Sequence, residues 1–200
     1  MGSSEDKTEY WNHNVAYHQW IIRQIDSDCN SILDVGCGEG LLLEKLFPYA
    51  KAMVGIDPDP IAINHAVERL STIQTATLIC DDFITHPDFQ MKFDRIIFVA
   101  AIHHMDAESA LIKAKSLLKP AGKILIVGCA KSKSPTDWFI DILRTPFAKP
   151  LSWLHKEYDP CVAITEPTIS LSEMTVIAKS LFNNVVVRIG LYYRYLMTCQ

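Results

Sequence analysis

The run Ile32-Leu33-Asp34-Val35-Gly36-Cys37-Gly38-Glu39-Gly40 places an acidic residue two positions before three alternating glycines. Apolar residues lead into it, so it reads as a buried strand ending in a tight loop. Glycine at such a turn permits φ > 0 and lets a ligand approach the backbone closely. In a doubly wound sheet a loop of this kind lies at the carboxyl edge of the first strand, where ligands bind. A dinucleotide loop would read G-x-G-x-x-G, but position 41 is Leu41 and the third glycine falls one residue early, at Gly40. Asp34 and Glu39 have no Arg or Lys beside them in the loop, a poor lining for a pyrophosphate. The same lining suits a ligand with an ammonium group and a sulfonium.

Further reactive groups follow at strand ends. Asp57 closes Val54-Gly55-Ile56-Asp57, just before Pro58. A carboxylate there can accept hydrogen bonds from both hydroxyls of a ribose, and a turn or cap is its plainer role. Cys80-Asp81-Asp82-Phe83 ends a third apolar run, with a helix cap or turn as the alternative use of its two aspartates. His103 and His104 end the run from Phe93 through Ile102, where an imidazole could act as general base toward a hydroxyl or amine. Equally, that pair could bond backbone or contact a cofactor.

These groups need a scaffold, and the chain supplies alternating elements. Strands are expected over Ser31 to Gly36, Ala52 to Asp57, Ala76 to Cys80, Asp94 to Ala100 and Lys123 to Val127. Helices are expected in the first 30 residues and over Leu41 to Tyr49, Pro58 to Ser71 and Ala107 to Leu118. Such alternation implies an α/β protein with a doubly wound, mostly parallel sheet. Ser170-Leu171-Ser172-Glu173 is a capping-box pattern opening a last helix to about Phe182. Asn184 to Gly190 and Leu191 to Met197 then read as a hairpin. Lys131 to Thr168 is irregular, with Trp138, Phe139, Phe147, Trp153 and Tyr158, and reads as a lid or acceptor insertion or as a satellite cluster under a loop.

Composition narrows the class. Apolar residues make up 49% and charged residues 21%, and the formal charge is −4 with no dense basic run. A nucleic-acid binder carries a concentrated positive footprint, so a small-molecule partner is expected instead. The longest apolar run, Ile96 to Ile102, is far short of the roughly 20 residues of a membrane span. Cys29, Cys37, Cys80, Cys129, Cys161 and Cys199 form no CxxC pair and no metal-type spacing. They read as reduced thiols, so a soluble cytoplasmic protein without a metal centre is expected.

With these residues in place, the sequence resembles the class I, Rossmann-like methyltransferases that use S-adenosylmethionine. Their first motif is an acidic residue two positions before G-x-G-x-G, and residues 31 to 128 follow the family order. The resemblance implies one domain over 1–200: an N-terminal helical cover (1–30), a cofactor core (31–130), the insertion (131–168), and a last helix with hairpin (169–200). It also implies a seven-stranded sheet with an antiparallel last strand and helices on both faces. Gly36, Cys37, Gly38 and Gly40 would cradle the methionine part and Asp34 would support its amino group. Asp57, with Pro58 beside it, would hold the ribose, and Asp82 with Phe83, or else Asp81, would meet the adenine. Ala100 would border the cofactor, Tyr17 could meet its carboxylate, and Tyr10 and His18 lie in the same covering segment. His104, ahead of His103, is the candidate base, and S-adenosylhomocysteine would be the product. A cofactor-binding regulatory protein without transfer activity and a nicotinamide-dependent oxidoreductase are the competing readings.

Overall fold

Strands covered on both faces read as near-continuous apolar runs, and here such runs alternate with helices. The computed structural model describes residues 14–87, 89–129, 169–190 and 194–200. Within them, β1 (Ser31–Val35), β2 (Ala52–Asp57), β3 (Ala76–Cys80), β4 (Phe93–Val99), β5 (Leu118–Cys129), β6 (Val185–Ile189) and β7 (Arg194–Cys199) build one sheet. Its order is β3-β2-β1-β4-β5-β7-β6. β1 to β5 are parallel, and β7 runs antiparallel between β5 and β6. The chain winds outward from β1 to β3 and then returns to the other side of β1 at β4. The crevice above β1 and β4 is therefore the switch point where α/β sheets bind ligands.

Side-chain alternation divides the core. Ile32, Met53, Ile97 and Leu125 face a layer that includes Ile21 of α1 (His18–Ile22), Leu43 and Leu46 of α2 (Leu41–Leu46) and Ile63 of α3 (Pro60–Arg69). Their neighbours Leu33, Val54, Ile96 and Ile124 join Ala110, Leu111 and Ala114 of α4 (Ala107–Leu117) and Met174 and Ala178 of α5 (Leu171–Leu181). Each fully buried Ile or Leu contributes about 1.5–3 kcal/mol, so the central strands hold their ends rigidly.

Sequence and structure part at element boundaries. The helix expected from Pro58 begins at Pro60, because the Asp59 amide donates to the Asp57 carboxylate and Asp59 itself caps Ile61. The helix expected to Tyr49 stops at Leu46 and tightens into a 3₁₀ turn carrying Pro48. The fifth strand is longer than 123–127: Leu118 pairs with Phe93 and Lys123 with Arg95, so residues 119–122 form an excursion. Helical structure before β1 is described over Val15–Ile22, and the first 13 residues lie outside the described part. The capping box at Ser170 and Glu173 is present, and β6 and β7 pair antiparallel as the expected hairpin. Residues 130–168, with the aromatic insertion and Cys161, lie outside the described residues.

In the β5 excursion Ala121 holds φ of 63°, at a position exposed to solvent. An L-residue pays roughly 1–2 kcal/mol in that region, partly offset by the greater unfolded-state entropy of glycine. Ala121→Gly should therefore stabilise the protein by about 0.5–1 kcal/mol, read as a raised Tm. A lowered Tm would contradict the strain.

Candidate functional site

β1 runs straight into its glycine loop because the loop backbone is hydrogen-bonded to the neighbouring strand. The Gly36 and Cys37 amides donate to the Ile56 carbonyl at 2.8 and 3.2 Å. Gly36 has φ of 72°, and a Cβ there would stand 2.4 Å from the Ala101 Cβ, so a side chain at this turn would push apart the ends of β1 and β4. Gly38 has φ of 51°, and a Cβ on it would meet nothing within 4 Å. That open space above the backbone is what a close-lying ligand requires. Gly40 differs in role: it starts α2 and packs against Ala66 and Leu70 of α3.

A cavity of about 200 Å³ opens beside this loop. Asp34, Gly36, Cys37, Gly38, Glu39 and Asp57 form its acidic side, and Ala100, Ala101 and His104 face it from the end of β4. Ala100 holds φ of 51° at the bend that leaves β4. Asn14, Val15 and His18 close the cavity from the N-terminal segment. A larger hollow of about 520 Å³ lies beside Glu44, Phe47, Arg69 and residues 72–75, with no residue of the glycine loop in its lining. It brings together no acid and base other than the Arg69–Glu44 pair.

The electrostatics favour a cation. Asp34 is 2% exposed, and burial, reinforced by the nearby Asp57 charge, pushes its carboxyl up to about 7. Asp57 accepts from the Gly38 amide and the Asp59 amide, both at 2.9 Å, so it is a turn cap that also faces the cavity. A carboxylate has about four acceptor sites, which leaves capacity for ligand hydroxyls. Arg69 does reach the loop in space, from α3, but it donates to the Glu39 carbonyl at 2.9 Å and pairs with the Glu39 and Glu44 carboxylates. Burial, then the Asp34 and Asp57 charges, pushes the Cys37 thiol up, so it is a packed thiol and not a nucleophile.

The remaining candidates scatter around this centre. Asp81 is bonded to His86 at 2.8 Å, and that hydrogen bond, followed by the Asp82 amide, lowers its carboxyl. Asp82 accepts from the Thr85 amide and hydroxyl at 2.9 and 3.1 Å, which makes it the turn cap of the pair. The Phe83 ring is 2% exposed and packs edge-on against Phe98 in the core. Pro58 does not line the cavity, and Tyr17 is buried with its hydroxyl end against Gly190. His18, one residue on, lines the cavity instead: burial, then Lys45, lowers its imidazole to about 3. His18 Nδ1 is buried without a partner among the described residues. His103 packs against His104 with ring centroids 4.1 Å apart and the ring planes tilted by 36°. Burial, then His104 and Arg194, lowers His103 to about 4, a weak base at neutral pH.

His18 lines the cavity where the sequence pointed to Tyr17, whose ring end packs against Gly190 instead. Asn14 gave no sequence signal, since an isolated polar residue ahead of a helix reads as a cap. Among the described residues no group of three or more His, Cys, Asp or Glu is arranged to hold a metal. Nor is any helix among them long and apolar enough to cross a membrane.

The sheet order with its antiparallel β7 and the acidic glycine loop at the switch point define the class I methyltransferase fold. Residues 32–122 match the family described as a methyltransferase domain. An uncharacterized methyltransferase of Oceanobacillus iheyensis is 27% identical over 151 residues, 73% of this chain and 70% of that protein. Another, of Geobacillus kaustophilus, is 36% identical over 118 residues, and the chain spans only about half of its length (58% of this chain, 54% of the relative). The N-methyltransferase NodS of Bradyrhizobium japonicum, solved in complex with S-adenosyl-L-homocysteine, superposes with a TM-score of 0.64 at 18% identity, over 92% of this chain and 85% of NodS.

The raised Asp34 carboxyl has a consequence for stability. Its folded value of about 7 lies above the ordinary carboxylate range, so the folded state holds the proton more tightly than the unfolded chain does. Its contribution is full below about pH 4 and is lost as pH rises through about 7. Asp34→Asn does not titrate, so its Tm relative to the ligand-free parent should rise between pH 5 and pH 8. A gap that stays constant over that window would show that Asp34 is not desolvated.

Proposed function

We propose that this chain transfers the methyl group of S-adenosylmethionine to a small-molecule acceptor and releases S-adenosylhomocysteine. The observation that carries the reading is the buried Asp34 carboxyl beside Asp57 and the open backbone of Gly38, an acidic cradle fitted to a cationic ligand with vicinal hydroxyls. The fold, the methyltransferase-domain match and the S-adenosyl-L-homocysteine complex of NodS support the same choice of cofactor.

When bound, S-adenosylmethionine supplies a methyl on a sulfonium whose departure leaves a neutral thioether. The chain has only to position and desolvate the partners, and positioning can contribute roughly 7–11 kcal/mol. In this reading Asp34 holds the ammonium group, and the backbone of Gly36, Cys37 and Gly38 lies along the methionine part. Asp57 accepts from the ribose hydroxyls, with Pro58 fixing the turn that follows. Asp82 with the Phe83 backbone, or else Asp81, meets the adenine: Thr85 bonds Asp82 through Oδ1 alone, whereas both Asp81 oxygens are engaged, by His86 and by the Asp82 amide. Ala100 borders the methyl, and His18 and Asn14 take the covering role first given to Tyr17. His104 faces the cavity and takes the acceptor proton where one must leave. We place the whole chain in one functional unit, with the N-terminal segment as cover and residues 131–168 as the acceptor-side insertion.

Asp57→Ala should raise the Kd for S-adenosylhomocysteine at least about tenfold, because hydrogen bonds to a charged group are worth roughly 1.5–3 kcal/mol. Asp57→Asn keeps an oxygen for the Gly38 amide and separates loop collapse from loss of charge. Unchanged affinity in both folded variants would remove Asp57 from the site. An acceptor screen that follows S-adenosylhomocysteine formation tests the transfer itself.

A further inference from the structure

The acidic half of the cavity belongs to the ends of β1 and β2, and behind Asn14, which lines the cavity from the N-terminal segment, stands a cation. Arg194 opens β7, pairs in register with Cys129 at the end of β5, and so stands at the same sheet edge as the glycine loop. Its Nη2 and Nε donate to Asn14 Oδ1 at 3.1 and 3.4 Å, and Asn14 lines the cavity. The guanidinium also lies near enough to His103 to help hold that imidazole neutral, after burial and His104.

Among the described residues no carboxylate pairs with Arg194. Buried Arg95 shows the contrast: it is tied to Asp26, the Gln24 carbonyl and the Asp94 carbonyl. Arg194 is half-buried, yet of its five donors the two just named share one amide oxygen. A guanidinium in this state presents a planar fork that matches a carboxylate. Arg194 stands opposite Cys129 and near His103, with β4 and β5 between it and the Asp34 strand, which puts it toward the acceptor side; the cofactor's own carboxylate is the alternative counter-ion that the test separates.

We propose that Arg194 recognises a carboxylate on the methyl acceptor, so that the substrates are small organic acids. The inference rests on the methyl-transfer reading above. An acid held there lies beside the His103–His104 pair, and its charge offsets the cation on the acceptor side as the Asp34 and Asp57 charges offset the ammonium and sulfonium.

The test uses matched probes on the full chain loaded with S-adenosylhomocysteine: salicylate against salicylamide, 4-hydroxybenzoate against 4-hydroxybenzamide, and indole-3-acetate against indole-3-acetamide, by calorimetry. At least one acid should bind about tenfold or more tighter than its amide, the size expected for a charge-assisted pair. Arg194→Gln should erase that preference and leave the S-adenosylhomocysteine Kd unchanged, and Arg194→Lys should keep part of it. Equal binding of acid and amide in every pair, or no binding by any acid, overturns the proposal while the methyltransferase reading stands. Weakened S-adenosylhomocysteine binding in folded Arg194→Gln also overturns it, by assigning the guanidinium to the cofactor's own carboxylate. Failure of the parent chain to bind S-adenosylhomocysteine would instead sink the functional reading, and this inference with it.

Discussion

A carboxylate sealed into a protein interior is costly unless it is neutralised or paired. Asp34 meets that condition at the end of the central strand, on the same face as Ile32 and under a loop that accepts only glycine at its tightest point. Without a cation above it, the group stays protonated to about pH 7. The rigidity that makes this tolerable comes from β1, every residue of which is buried between β2 and β4. The site is a destabilised acid held in register by a closely packed strand, and in the proposed function cofactor binding is the event that relieves it.

The winding of the sheet gives that acid its neighbours. The switch between β1 and β4 brings the glycine loop of one half against Ala100, Ala101 and His104 of the other. The antiparallel β7 then returns Arg194 to the same edge. Charges of opposite sign thus reach one sheet edge from β1 and β7, strands far apart in sequence, and the two proposals assign them to different ligands.

Much of this was legible in the residues. The strand-then-glycine pattern at 31–40, the acid at 57 and the capping box at 170–173 encode local physics, and the structure realises each. What escaped depends on contacts between distant elements. Asp81 against Asp82 is the exception, a local distinction that appears only once the turn has formed and put His86 on one carboxylate and Thr85 on the other. Tyr17 and His18 are adjacent on a short turn, and which of them faces the cavity is decided by packing against Gly190 at the other end of the chain. The Arg69 pairing with Glu39 likewise requires α3 to fold back over the loop.

The central claim is that Asp34 is a buried acid waiting for a cation, and proton release on binding tests it most directly. Calorimetry of S-adenosylmethionine binding at pH 6.5, in two buffers of different ionisation enthalpy, measures the protons exchanged. With the Asp34 carboxyl at about 7 and an α-amino group still charged at this pH, the account predicts release of roughly half a proton or more per cofactor bound, and none from Asp34→Asn. Binding by the parent chain with no proton released would contradict the account, because Asp34 would then already be ionised or would stand outside the site.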